Sequence, residues 1–122
     1  MHPHTLLVNQ CLAILGEHPD ECAVWENKSG QLPDPNSPNR RPIRYGVGVG
    51  KTPEEAGGAD IIGVLRGGRF LAVECKTGKA TLTRGQRRWR AIVERMGGLY
   101  VVARCERDAR AVLETGELDG RG

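Results

Sequence analysis

The chain has 122 residues, with 18 Lys and Arg against 15 Asp and Glu and five aromatic residues in all. That length supports one domain around one core and excludes two, and a net charge of +3 is too small by itself to define a nucleic-acid partner. With so few rings the core has to be built from Leu, Ile, Val and Ala, and 17 glycines point to tight turns and close backbone approaches. There is no secretory leader and no apolar run of membrane length, so no membrane partner is expected. Cys11, Cys22, Cys75 and Cys105 are too widely spaced for a structural zinc site and read as free, mostly buried thiols in a reducing cytoplasm. The loose grouping of His2, His4, His18 and Cys22 has no spacing that enforces a metal site.

In chain order, Leu6, Leu7, Gln10, Cys11, Ile14 and Leu15 recur at helical intervals between Thr5, a candidate cap, and Gly16, a candidate stop. Cys22 to Glu26 reads as a strand with Val24 or Trp25 packing inward. Residues 27–41, rich in Pro, Asn, Ser and Gly without a periodic apolar face, read as a loop. Pro42 to Gly46 can form another short strand. The following Gly46, Gly48, Gly50, Lys51 and Thr52 invite comparison with a phosphate-binding P-loop. That motif needs a glycine where Tyr45 stands and a helix where Pro53 follows, so a nucleotide cofactor is not expected; a mobile loop bordering a cleft fits better.

Residues 57–76 form the centre of the reading: two apolar strands joined at Gly67-Gly68, with Asp60 at the start and Glu74 and Lys76 at the end. Strand side chains alternate, so Glu74 and Lys76 share a face and Cys75 points away. A carboxylate and an ammonium on one rigid strand, with a second carboxylate nearby, can bind a divalent cation and activate water beside a phosphate. The pattern therefore reads as a metal-dependent nuclease. It makes one geometric demand. A two-residue turn would set Asp60 opposite Cys75 and aim it away from Glu74, whereas a three-residue connection, Arg66 to Gly68, pairs Leu65 with Arg69 and Asp60 with Glu74. Such a connection is expected as a type I turn followed by a glycine bulge, or else a bulge near Asp60.

Beyond the hairpin, Trp89, Ile92, Val93 and Met96 define the buried face of a helix, with Thr83 and Gln86 as a capping box and Gly97-Gly98 as its exit. Leu99 to Ala103 reads as a buried strand that pairs parallel after this crossover helix, Arg107 to Leu113 as a last helix, and residues 115–122 as a frayed tail. Seven basic residues, Lys76, Lys79, Arg84, Arg87, Arg88, Arg90 and Arg95, face only Glu94 in this region, the footprint a phosphate backbone requires.

Asp60 in GGADIIG, Glu74 and Lys76 in AVECK, and Gln86 in RGQRRW together resemble the PD-(D/E)XK nuclease superfamily, and GRFLAVECKTG and GGLYVVAR look like its virus-type replication-repair nuclease branch, VRR-NUC. The likeness covers one domain, 1–122, best matched over 41–114. It implies an α/β fold with a restriction-endonuclease-like core, a small mixed β-sheet flanked by helices in the order α-β-β-β-α-β-α. It further implies a Mg²⁺- or Mn²⁺-dependent endonuclease for branched, flap or junction DNA, working as a homodimer, and in the host-cell cytoplasm if the chain is viral. On that resemblance Asp60 and Glu74 would be metal ligands with the Cys75 carbonyl as a third. Lys76 would position or deprotonate the attacking water, and Gln86 would orient a phosphate or a metal-bound water. Lys79, Arg84, Arg87 and Arg88 would hold DNA. The superfamily usually adds a glutamate from the first helix; none precedes Glu17 here, and His4 or Asn9 stands near that position. The plainer readings are a turn residue at Asp60, a surface ion pair at Glu74 and Lys76, a helix cap at Gln86 and a solvated basic face. The competing function is a non-catalytic nucleic-acid-binding module or assembly subunit on the same scaffold.

Overall fold

A computed structural model describes residues 1–36, 39 and 42–121, with side chains as far as Glu114. Residues 37, 38, 40 and 41 of the expected loop, and Gly122 of the tail, lie outside the described residues. Along the described chain run α1 (Pro3–Leu15), β1 (Cys22–Glu26), β2 (Gly30–Pro33), β3 (Pro42–Tyr45), a single 3-10 turn (Pro53–Glu55), β4 (Ile61–Leu65), β5 (Arg69–Cys75), α2 (Arg84–Arg95), β6 (Leu99–Ala103) and α3 (Glu106–Arg121). β1, β4, β5 and β6 form a four-stranded mixed sheet in that spatial order, and β2 pairs with β3 as a separate ribbon. The fold is α/β. Without the β2–β3 ribbon its order is α-β-β-β-α-β-α.

Alternation along the strands sends two cores to opposite faces of the sheet. Cys22, Ile61, Leu65, Leu71, Val73, Cys75 and Ala103 pack against Leu7, Val8, Cys11, Ile14 and Leu15 of α1 and Ala109 and Val112 of α3. On the other face Ala72 and Tyr100 pack with Val93 and Trp89 of α2. β4 and β5 run antiparallel, and β5 and β6 run parallel, joined by the crossover that α2 supplies.

Several expectations need correction. The stretch read as a loop contains β2, because Gln31 and Leu32 gain partners in Arg44 and Ile43 of β3, a pairing that no local periodicity advertises. Of Val24 and Trp25 it is Val24 that packs against the core, while Trp25 is 53% exposed, since β1 is a sheet edge and α2 covers only the β5–β6 half of that face. Met96 is 78% exposed at the last turn of α2. In α1 the cap is His2 with Pro3 as the first helical residue, not Thr5, and Val8 is buried where Leu6 faces solvent. The last helix continues to Arg121 through most of the expected tail.

The hairpin meets its geometric demand. Leu65 pairs with Arg69 and Ile61 with Val73, leaving a three-residue connection closed by the Gly68 amide donating to the Leu65 carbonyl at 2.9 Å. Gly67 and Gly68 have φ of +92° and +88°. The turn is therefore not the expected type I, whose third residue has negative φ; the second glycine is used as well.

Candidate functional site

Asp60 stops just short of β4 and is fixed from both sides of the backbone. Its carbonyl accepts from the Asn27 amide at 2.8 Å. One carboxylate oxygen, Oδ2, accepts from the Cys75 amide at 2.8 Å and lies 3.2 Å from His4 Nε2. The continuation of the β4–β5 register thus sets Asp60 opposite Glu74 at the end of β5, with its carboxylate on the Cys75 amide. Glu74 is 4% exposed on the α2 face of the sheet, while Cys75 belongs to the opposite core, as alternation requires.

Glu74 Oε2 is held twice, by Lys76 Nζ at 3.2 Å and by Gln86 Nε2, which donates at 2.8 Å. Glu74 Oε1 is buried and has no hydrogen-bond partner among the described residues. A buried carboxylate oxygen without a donor costs free energy, of order 1–3 kcal/mol or more for a charged group. Burial, and after it the charge of Asp60, push the Glu74 carboxyl up to about 7, with Lys76 acting in the opposite sense. Lys76 is itself largely covered, its side chain 13% exposed, so the pair is no surface ion pair of negligible worth.

Gln86 performs both roles that the sequence left open. Its Oε1 accepts from the Thr83 amide at 2.9 Å while the Thr83 hydroxyl accepts from the Gln86 amide at 3.2 Å, a reciprocal capping box. Its Nε2 reaches Glu74 rather than open space. The cap therefore positions the side chain that positions the carboxylate.

Of the expected DNA-binding residues, Lys79 and Arg84 are exposed, on the stretch of chain between Lys76 and Gln86. Arg87 donates to the Leu82 carbonyl at 2.8 Å and Arg88 pairs with Glu55 at 2.9 Å. The segment after Lys76 is tied back by Arg104, which donates to the carbonyls of Gly78 and Ala80 at 3.3 and 2.7 Å. Asn9 faces solvent away from Asp60, its amide 3.8 Å from Met1 Sδ; His4 is the α1 residue at the site. Sequence reasoning missed Asn27. Its side chain donates to the carbonyls of Val47 and Ala59, both at 2.9 Å, and accepts from the Val47 amide at 3.1 Å. It thereby binds the glycine loop to the residue before Asp60. An Asn directly after a strand is an ordinary turn signal, and nothing local reports contacts twenty and thirty residues away.

The glycine loop packs rather than cradles. A Cβ on Gly48 would lie 2.7 Å from the Trp89 ring, and Glu55 takes the Lys51 amide and the Thr52 hydroxyl on one oxygen at 3.3 and 3.2 Å. Those contacts, the Lys51 amide first, hold the Glu55 carboxyl below its ordinary value.

Donor chemistry at the site suits a hard cation: two carboxylates, one with an unpartnered buried oxygen, and a backbone carbonyl at Cys75. Among the described residues no three His, Cys, Asp or Glu side chains close around a single point, so Asp60 and Glu74 would need backbone, water or substrate oxygens to complete a coordination shell. Compared with family models, with curated proteins and with solved structures, the chain matches none. Among the described residues no helix is long and apolar enough to cross a membrane.

Proposed function

We propose that the chain is a metal-dependent DNA endonuclease on a restriction-endonuclease-like core, of the VRR-NUC kind, selective for branched, flap or junction DNA. One observation carries the reading. Glu74 is buried beside Asp60 with Oε2 fixed by Lys76 and Gln86 while Oε1 lacks a donor. A fold that buries a carboxylate and leaves half of it unsatisfied has a use for that oxygen.

Asp60 and Glu74, with the Cys75 carbonyl, would hold Mg²⁺ or Mn²⁺, which would supply Lewis acidity toward a phosphate oxygen and a more acidic water. The residues of the chain do the rest. His4 and the Cys75 amide fix the Asp60 carboxylate, and Gln86 fixes Glu74. Lys76 orients the attacking water, whose oxygen forms the new P–O bond as the opposite P–O bond breaks and the leaving oxygen takes a proton. Its ammonium also offsets negative charge that builds on the phosphoryl oxygens.

The test is cleavage of flaps, forks, four-way junctions and plain duplex by the purified chain in Mg²⁺ or Mn²⁺. Activity should fall at least about a hundredfold in Lys76→Ala with folding checked by circular dichroism, an effect of the size expected when a charge-stabilising donor is lost. Asp60→Asn should do the same. Binding without cleavage under every metal would instead favour the non-catalytic module.

A further inference from the structure

The β2–β3 ribbon, of which the sequence showed only β3, faces the start of α2. Between it and the start of α2 lies a cleft of about 450 Å³ lined by Gln31, Arg44, Val49, Gly57, Thr83 and Gln86 among others. Gln86 is also the residue that holds Glu74, so one side chain links the cleft wall to the carboxylate. Gln31 and Arg44 are direct partners across the ribbon, and the next pair, Leu32 and Ile43, is more than half and half exposed. The ribbon thus turns its polar pair into the cleft.

Arg44 is half-buried there, and its side chain has no hydrogen-bond or ion-pair partner among the described residues. By contrast Arg66, Arg88, Arg90 and Arg110 each have a carboxylate partner. Among the described residues no carboxylate and no aromatic ring lines the cleft. An unpaired guanidinium in an acid-free cleft suits an anion, and its planar fork suits a phosphate. With no ring among those lining residues, the contact the cleft offers a strand is to its backbone phosphate.

We propose that this cleft is a subsite for one separated strand of DNA, in which Arg44 binds a backbone phosphate and leads the strand toward Glu74; the assignment rests on the nuclease reading of that site. A cavity of this size falls in the range of small-ligand sites and takes a nucleotide or two of one strand, not a duplex. Recognition through phosphate alone makes it indifferent to base and sensitive to salt. This ties substrate selectivity to the ribbon: DNA with a single-stranded arm can enter, and blunt duplex cannot.

The experiment is fluorescence anisotropy of the full chain with labelled oligo-dT and oligo-dA of about fifteen nucleotides, a length that spans a single-strand binding site, and with a blunt hairpin duplex. EDTA is present so that cleavage does not intervene. In Arg44→Ala the Kd for both oligonucleotides should rise about tenfold and the slope of log K against log salt should fall by about 0.7, the change expected for one phosphate contact on a single strand. Arg110→Ala, which removes the same charge at α3, should shift Kd by about twofold at most. Arg44→Gln carries the same test if Arg44→Ala does not fold. Equal losses in the Arg44 and Arg110 variants would overturn the proposal, as would an equal Arg44 effect on blunt duplex. Arg44-dependent binding by a chain that cleaves nothing in Mg²⁺ or Mn²⁺ would sink the nuclease reading and keep the subsite. Cleavage of single-stranded arms with an unchanged KM in Arg44→Ala would do the reverse.

Discussion

At the scale of single residues, Glu74 sets the terms. Its carboxyl is pushed up to about 7 from 4.5, by burial first and by Asp60 second. Between those two values the folded state binds more protons than the unfolded chain, so its contribution to stability is complete below about pH 4.5 and is lost as pH rises through about 7. Urea unfolding of wild type and of Glu74→Gln, followed from pH 4.5 to 8, should therefore diverge, the wild type losing roughly 2 to 3 kcal/mol against the neutral variant. Parallel pH profiles would show that Glu74 ionises freely in the fold. Asn27 is the second residue of consequence. Replacing it by Ala leaves the carbonyls of Val47 and Ala59 without its amide, and should cost about 1 to 3 kcal/mol in the same denaturation measurement. Both were unequally legible. Glu74 stood out as a charge in an apolar run, whereas Asn27 looked like any turn residue because its partners are remote in sequence.

At the scale of elements, two kinds of glycine do different work. Gly67 and Gly68 have positive φ and open space around a would-be Cβ, so they serve only the hairpin connection that pairs Ile61 with Val73. Gly57 is the opposite case: a Cβ there would collide with the Gly85 backbone where the segment before Asp60 meets the first turn of α2. Gly67→Ala should cost about 1 to 2 kcal/mol through backbone strain alone. Gly57→Ala should cost more than that, because backbone on both sides has to move and both segments lead to the site. Thermal unfolding of the two variants separates the cases, and an order reversed from this would mean the Gly57–Gly85 approach is not maintained in solution. The hairpin length was readable from the sequence as one of two options, the other a bulge near Asp60, because a plain two-residue turn would aim the carboxylates to opposite faces. Of the β2–β3 ribbon only β3 was, as the short strand expected from Pro42; β2 and its pairing were not, since a two-stranded ribbon of four-residue strands has neither a buried face nor a periodic signal to announce it.

At the scale of the whole molecule, the sheet divides labour between its faces. α1 and α3 close the larger apolar core, and α2 covers the face that bears Glu74. Both carboxylates are then held by elements far apart in the chain, His4 from α1 on one side and Gln86 from α2 on the other. Cation binding should consequently stabilise the entire fold. At a Mn²⁺ concentration about a hundred times the dissociation constant the gain is about 2.7 kcal/mol. Because the cation competes with the proton on Glu74, the rise in Tm should be larger at pH 8 than at pH 6, and absent in Glu74→Gln. A pH-independent rise would indicate a cation bound elsewhere.

The sequence by itself determined the strand–turn–strand that carries Asp60, Glu74 and Lys76, the capped helix with Gln86 and the parallel strand after it. Period-two and period-3.6 patterns and cap residues are local signals, and each of these elements buries an apolar face large enough to enforce them. Tertiary structure alone decided that Gln86 closes on Glu74, that His4 and Asn27 fix Asp60, that Trp25 faces solvent at an edge strand, and that Arg44 and Gln86 line one cleft. These outcomes rest on polar contacts between residues many positions apart, which leave no periodic trace in the chain and form only once the sheet sets its register.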